Sequence, residues 1–573
     1  MNIQRNIFAG LLVFLIFLTI PMYLNLIGLD ESDANNERVD KNMAVAEASN
    51  NQIGGGVAPQ TTSPSMVEFD NSIEKTITIN TDYYRMILSN KSGGSVLLYE
   101  LTEKNNSLLN KYIGSYDENR NYNDSLNVTL INNMSLANNE PPPCSPCLSI
   151  NGEKIQSTFS LDVLDNSIYL ERGDNQTLVY LYNFGDNEYI KKTITVNGDG
   201  YDFESTFEYK LNSNNLNVEI IWDSGILPTE RGDADVYEGH SSAYIWQDGG
   251  LESITQNNDT NIRAETFTNT TDWFAIRNKY FTIAIIPQES MDYATLSSNN
   301  NNTFQDREIT PIYTAVLGKN VDPEGTSSFT TYLGPLDIDH LSLLNANVES
   351  IMNFGWSIIK PFSKLILWLI KTIHYSLGIN YGIVLIFIAF IMRFIMGPLT
   401  KKSSEASSKM QEVAPLQKKL QEKYKDNPQQ LQKEMGELWK KKGVNPISGC
   451  LPMLLQWPVL MSFFIIFRST IEFRGQPFIF WIRDLSQPDY IFSLPFSVPL
   501  YGSAVAVLPI IMGISMFLTM SVTMQDKSQK PMMYFMNAFF ILMFNSFPSG
   551  LTLYYTIFNF LSYQQQLSIK KNK

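Results

Sequence analysis

Arg393 is the residue whose type and position most plainly promise chemistry. It lies well inside the apolar run N-Y-G-I-V-L-I-F-I-A-F-I-M-R-F-I-M-G-P-L-T, Asn380 to Thr400. A guanidinium cannot shed its proton, and placing one in hydrocarbon costs about 3 kcal/mol on insertion scales. Such a group faces a bundle interior or a wet cavity, or it snorkels. Lys401 is only about 12 Å along a helix from Arg393, so both readings stand. No Asp or Glu occurs inside the apolar runs that follow, so no carboxylate mate is visible. The other candidates are polar and aromatic: Gln456 in one run, and Thr552, Tyr554, Tyr555, Thr556 and Asn559 in the last. Small polar groups between apolar helices serve as packing glue or as the lining of a polar path.

Other reactive constellations are weak. Cys144 and Cys147 form a C-x-x-C inside P-P-P-C-S-P-C. A redox pair needs a helix start to lower its thiol pKa, and proline on both sides disfavours that, leaving a small loop disulfide or two free thiols. His240, His340 and His374 are scattered, so no metal site is expected, and no G-x-x-x-x-G-K-[ST] loop marks a nucleotide. No catalytic residue and no cofactor are expected.

The elements that must carry these residues emerge from charge and hydropathy. Leu344 to Lys573 holds 23 Lys/Arg and 11 Asp/Glu, a net of +12 in a chain whose total is −14. The remainder is therefore at −26, and such a split places the halves in different surroundings. The basic part is also the apolar part, which disfavours a specific nucleic-acid reader. Residues 1–28 contain a run from Ile7 to Ile27, about 30 Å as a helix, read as an uncleaved N-terminal anchor. Residues 29–66, acidic and rich in Asn, form a flexible linker. Residues 67–344 carry short β-branched and aromatic segments punctuated by Gly, Asn and Asp, an all-β domain. Its N-x-S/T triplets, such as Asn127 to Thr129, follow from an Asn-rich composition as readily as from glycosylation.

In residues 345–573, Gly355 to Gly378 places Lys360, Lys364 and Lys371 on one helical face opposite Trp356 and Trp368. That pattern predicts a helix lying in the membrane interface, with a span as the alternative. Spans are expected at 380–400, 447–467, 504–524, 532–547 and 549–566. The segment 401–445 holds 11 Lys and 6 Asp/Glu and reads as a basic helical hairpin, Ser403 to Lys425 and Pro428 to Lys442, either a simple connector or a docking surface. The positive-inside rule puts that hairpin and both termini in the cytoplasm, and residues 29–379 mainly in the periplasm. Methionine-rich spans suit a site that accepts many apolar sequences, or are ordinary lipid-facing side chains.

Six blocks then show a likeness: F-G-W-S-I-I-K-P at Phe354 to Pro361, M-R-F-I-M-G-P-L-T-K at Met392 to Lys401, V-N-P-I-S-G-C-L-P-M-L-L-Q-W-P at Val444 to Pro458, F-I-F-W-I-R-D-L-S at Phe478 to Ser486, L-P-I-I-M-G-I-S-M-F at Leu508 to Phe517 and F-P-S-G-L-T-L-Y-Y at Phe547 to Tyr555. In order and spacing they resemble the YidC-type (oxidase-assembly/YidC) membrane protein insertases, in the Gram-negative form with a large periplasmic domain. The resemblance implies a polytopic α-helical membrane protein with an N-terminal anchor, a five-helix insertase core and an all-β supersandwich periplasmic domain. It implies a hydrophilic groove open to cytoplasm and lipid in the bacterial inner membrane, working without covalent chemistry, alone or alongside the Sec translocon. Arg393, Tyr554 and Tyr555 correspond to its groove residues, with Gln456 beside them. Ala389 stands where many members carry Thr one turn before the arginine. The implied partners are nascent membrane proteins, Sec translocon components, the ribosome through 401–445 and the basic C-terminal tail, and membrane lipids.

Overall fold

Alternation builds the β region. In Glu188–Asn197, E-Y-I-K-K-T-I-T-V-N, side chains point alternately to opposite faces, so Ile190, Ile194 and Val196 turn inward together. Lys192 shares their face and is carried into the core. The antiparallel partner Asp202–Lys210 sets Phe207 opposite Lys192 and Tyr209 opposite Ile190.

The computed structural model describes residues 74–571, apart from 106–108, 118, 135–143, 164, 186, 214–215, 232–240, 256–262, 302–309, 426, 445–450, 499–500 and 524–529. The anchor and linker expected at 1–28 and 29–66 lie outside the described residues, as do His240 and Cys450. The described chain divides after Met352 into two units.

The first unit is an all-β supersandwich whose larger sheets have nine, six and five strands. The nine-stranded sheet runs Gly250–Thr255, Ser242–Gln247, Thr271–Arg277, Phe281–Pro287, Glu324–Pro335, Asp202–Lys210, Glu188–Asn197, Asn175–Gly185 and Ser160–Leu161 in spatial order. Large aromatics fill the interior, and the indoles of its two fully buried tryptophans find partners. The Trp222 indole donates to the Gly225 carbonyl at 2.9 Å. That of Trp273 donates to the Ala346 carbonyl at 2.7 Å. Cys144 and Cys147 form a disulfide packed against Ile221 and Val316, which settles the alternatives left by the C-x-x-C spacing. A short helix, α1 (Ile338–Leu343), closes the unit, its Asp337 cap accepting from the Asp339 amide at 2.9 Å.

The second unit is helical. α2 (Lys360–Leu377) ends at Gly378, whose φ of 62 degrees is positive and suits a residue without Cβ. α3 (Tyr381–Lys423) begins at Asn380, which caps the Gly382 amide at 2.8 Å. α4 (Pro428–Lys442), α5 (Leu451–Ser469), α6 (Leu508–Thr523), α7 (Lys530–Phe544) and α8 (Ser549–Lys571) follow.

Three features differ from the sequence reading. The span at 380–400 and the first arm of the hairpin are one continuous 43-residue helix. Turning from apolar to charged at Lys401 changes a helix's surroundings but does not end it; Pro398 and Pro415 are accommodated within the helix, and the D-N-P at Asp426 to Pro428 follows its end. Lys371 does not share a solvated stripe with Lys360 and Lys364. It is buried, with its Nζ 3.4 Å from Glu472 Oε1. A β-hairpin, Tyr490–Val498 paired with Gly502–Ala506, precedes α6 and takes up the start of the span expected at 504. Among the described residues one helical stretch, Tyr381–Ser403, is by itself long and apolar enough to cross a bilayer. The apolar parts of α6 and α7, Leu508–Val522 and Met533–Phe544, are shorter.

Candidate functional site

Arg393 sits on α3 where that helix meets α8. It is half-buried, while Ala389 one turn earlier is fully enclosed. Its Nη2 donates to the side-chain oxygen of Gln565 on α8, and Gln565 Nε2 donates back to the Gly397 carbonyl at 3.2 Å. The Phe558 ring centroid lies 5.6 Å from the guanidinium carbon, within the range of a cation–π contact. Arg393 Nε is buried without a hydrogen-bond partner among the described residues. Among the described residues the partner of this cation is thus a neutral amide, which orients the guanidinium without compensating its charge.

Tyr554 continues the wall. Its ring stacks on Phe463 of α5 at 4.1 Å, on Phe558 at 5.9 Å, and edge-on against Tyr555 at 5.0 Å. Both tyrosine hydroxyls are buried, and that of Tyr554 has no hydrogen-bond partner among the described residues. Gln456 on α5, half-buried, is the polar neighbour of the Tyr555 hydroxyl. The four residues singled out from sequence therefore fall on one connected run: Arg393, Phe558, Tyr554, Tyr555, Gln456. Sequence reasoning missed Gln565 and Phe558. The signal was present, because Tyr554, Phe558 and Gln565 are spaced by four and seven, one stripe of a helix. Glue between helices is also in place. The Asn537 amide donates to the Gly513 carbonyl at 2.9 Å, and the Thr519 hydroxyl to the Asn559 carbonyl at 2.9 Å.

The family model described as 60Kd inner membrane protein matches residues 372–573, and that of the YidC periplasmic domain matches residues 152–369. A membrane protein insertase YidC of Chlorobaculum tepidum is 31% identical over 560 residues, covering 94% of this chain and 89% of the relative. The chain belongs to the YidC family of membrane protein insertases. A YidC of Chlorobium phaeovibrioides is 36% identical over 416 residues, 69% of each chain. An active YidC insertase crystal structure with its first transmembrane domain resolved is 18% identical, with a TM-score of 0.33, and covers 87% of this chain and 93% of that one. With the family models and the curated relatives in agreement, the resemblance carried by the six sequence blocks holds. The fold is that of a polytopic α-helical inner-membrane protein with a β-supersandwich periplasmic domain.

Proposed function

We propose that this YidC-family chain inserts membrane proteins, and helps them fold, by way of a hydrophilic groove lined by Arg393, Gln456, Tyr554 and Tyr555, to which Gln565 and Phe558 are added. The observation that carries this reading is the half-buried Arg393, matched to a neutral amide rather than a carboxylate. An uncompensated cation at membrane depth holds water and offers a transient counter-charge to a polar or acidic stretch of a nascent chain. The aromatic wall then lets the client's apolar segment slide toward lipid. The driving force is the client's own transfer from water, at ~25 cal/mol per Å² of apolar surface. Nothing in this scheme needs a covalent step or a cofactor.

In this reading residues 1–28 anchor the chain, 29–66 link, 67–344 form the periplasmic domain, α2 lies in the interface, and α3, α5, α6, α7 and α8 span the inner membrane. Both termini and the basic arm of α3 with α4 lie in the cytoplasm, the side on which 11 lysines of 401–445 are retained. That arm and the tail with Lys570, Lys571 and Lys573 offer docking to the ribosome, to Sec translocon components and to lipid head groups.

Reconstituted insertion of a single-span client with an acidic leading tail tests the groove. Arg393→Glu abolishes insertion while the protein stays folded, and Arg393→Lys is milder. Full insertion by the Glu variant removes the counter-charge role.

A further inference from the structure

The β-hairpin Tyr490–Val498/Gly502–Ala506 is held firmly at its base. Asp489 Oδ2 accepts from the Trp481 indole at 2.8 Å and from the Val507 and Leu508 amides at 3.1 and 2.8 Å. The Asn545 side chain, at the end of α7, accepts from the Ala506 amide at 2.9 Å and donates to the Tyr501 and Ala504 carbonyls at 2.7 Å each. What it presents is apolar. Tyr490, Ile491, Phe492 and Phe496 are 46%, 51%, 52% and 61% exposed. Phe480 in the loop before it is 86% exposed. No charged residue occurs between Tyr490 and Gln525.

A two-stranded hairpin is marginal in water, and a contiguous apolar patch of this kind is not left to solvent. Hydrocarbon does not suit it either, because the open edges of a two-stranded ribbon carry unsatisfied backbone groups. The layer that meets both demands is the membrane interface, where Tyr, Phe and Trp concentrate. Three successive residues, 490 to 492, are exposed without the alternation that would hide one face against a protein. On α6, the helix that follows, Ile510, Ile511 and Ile514 are exposed as well.

We propose that this hairpin is a lipid-binding interfacial anchor: it lies in the outer head-group layer with Ile491, Phe492 and Phe496 dipped toward the acyl chains, and thereby sets the depth of α6 and α7. The proposal rests on the reading of the helical unit as spanning the membrane.

A nitroxide attached at Ile491→Cys or Phe496→Cys, in the full chain carrying Cys450→Ser, reads the surroundings in phosphatidylethanolamine–phosphatidylglycerol vesicles. Leu109→Cys in the β unit serves as the water reference and Phe394→Cys, on the expected span of α3, as the lipid reference. The expected result is a ratio of oxygen to nickel-chelate collisions several-fold above that at position 109 for both hairpin labels. A ratio equal to that at 109, or shielding from both reagents as in a protein contact, overturns the proposal. If position 394 reads lipid while the hairpin does not, the anchor alone fails. If 394 also reads water, the span assignment fails and the anchor falls with it.

Discussion

Lys192 in the β unit and Arg393 in the helical unit are both cations drawn away from water, yet they are held in opposite ways. Lys192 is fully enclosed, donates to the Pro146 carbonyl at 2.9 Å and the Gly94 carbonyl at 3.4 Å, and sits 5.1 Å from the Phe207 ring. Burial pushes its pKa down to about 7, so near neutral pH it can relieve the cost of desolvation by releasing its proton. Arg393 has no such escape, because a guanidinium stays charged. It remains half open, and its partner is an amide. Lys371 is a third case, buried and set against a buried carboxylate. Cations that are sealed and satisfied hold a fold together. In the proposed reading, one left charged, partly open and without an acid among the described residues is available to a passing client.

That contrast can be broken deliberately. The largest effect is expected from Gln565→Glu, which gives Arg393 the carboxylate it lacks. Insertion of acidic-tailed clients should fall by tenfold or more, with thermal stability unchanged or raised. A variant that inserts normally would mean that the charge need not be free. Next is Glu472→Ala, which takes the carboxylate from Lys371 and should cost about 3–5 kcal/mol. Thermal unfolding in nanodiscs measures it, and Lys371→Met/Glu472→Leu should recover most of the loss.

A smaller effect belongs to Cys144→Ser/Cys147→Ser. The bond joins residues only three apart. The loop entropy that so short a closure removes from the unfolded chain is worth about 2 kcal/mol. The melting temperature of the β unit should drop by a few degrees. Smallest over one pH unit is the titration of Lys192. Its folded pKa lies below the unfolded value, so the unfolded chain binds more protons between about 7 and the usual lysine value. Stability therefore rises with pH in that window. Between about pH 7 and 8 the folding constant of the β unit should gain several-fold, and under tenfold, over that of Lys192→Met. Parallel profiles for the two proteins would show that Lys192 does not titrate there.

Local patterns carried much of this architecture. The charge split, the two-residue alternation of the strands and the long apolar runs are properties of neighbours along the chain, and they separated a β region from a basic, apolar helical region. Arg393, Tyr554 and Tyr555 stood out for the same reason, since a charge within an apolar run and an aromatic pair are visible without any fold. Helix ends were less legible. The join at Lys401 was drawn from a change of polarity, which hydrogen bonding along a helix does not register.

Pairings across the chain were decided by tertiary structure alone. Gln565 meets Arg393 from 172 residues away, and Glu472 meets Lys371 across 101 positions. The lysine spacing on α2 suggested a solvated stripe, and only the packing around Glu472 shows Lys371 buried. Sequence determined which side chains are costly to bury, because that cost belongs to each side chain's own chemistry. Whether the cost is met by deprotonation, by an acid or by nothing depends on which distant backbone or side chain comes to rest beside it, and that only the fold decides.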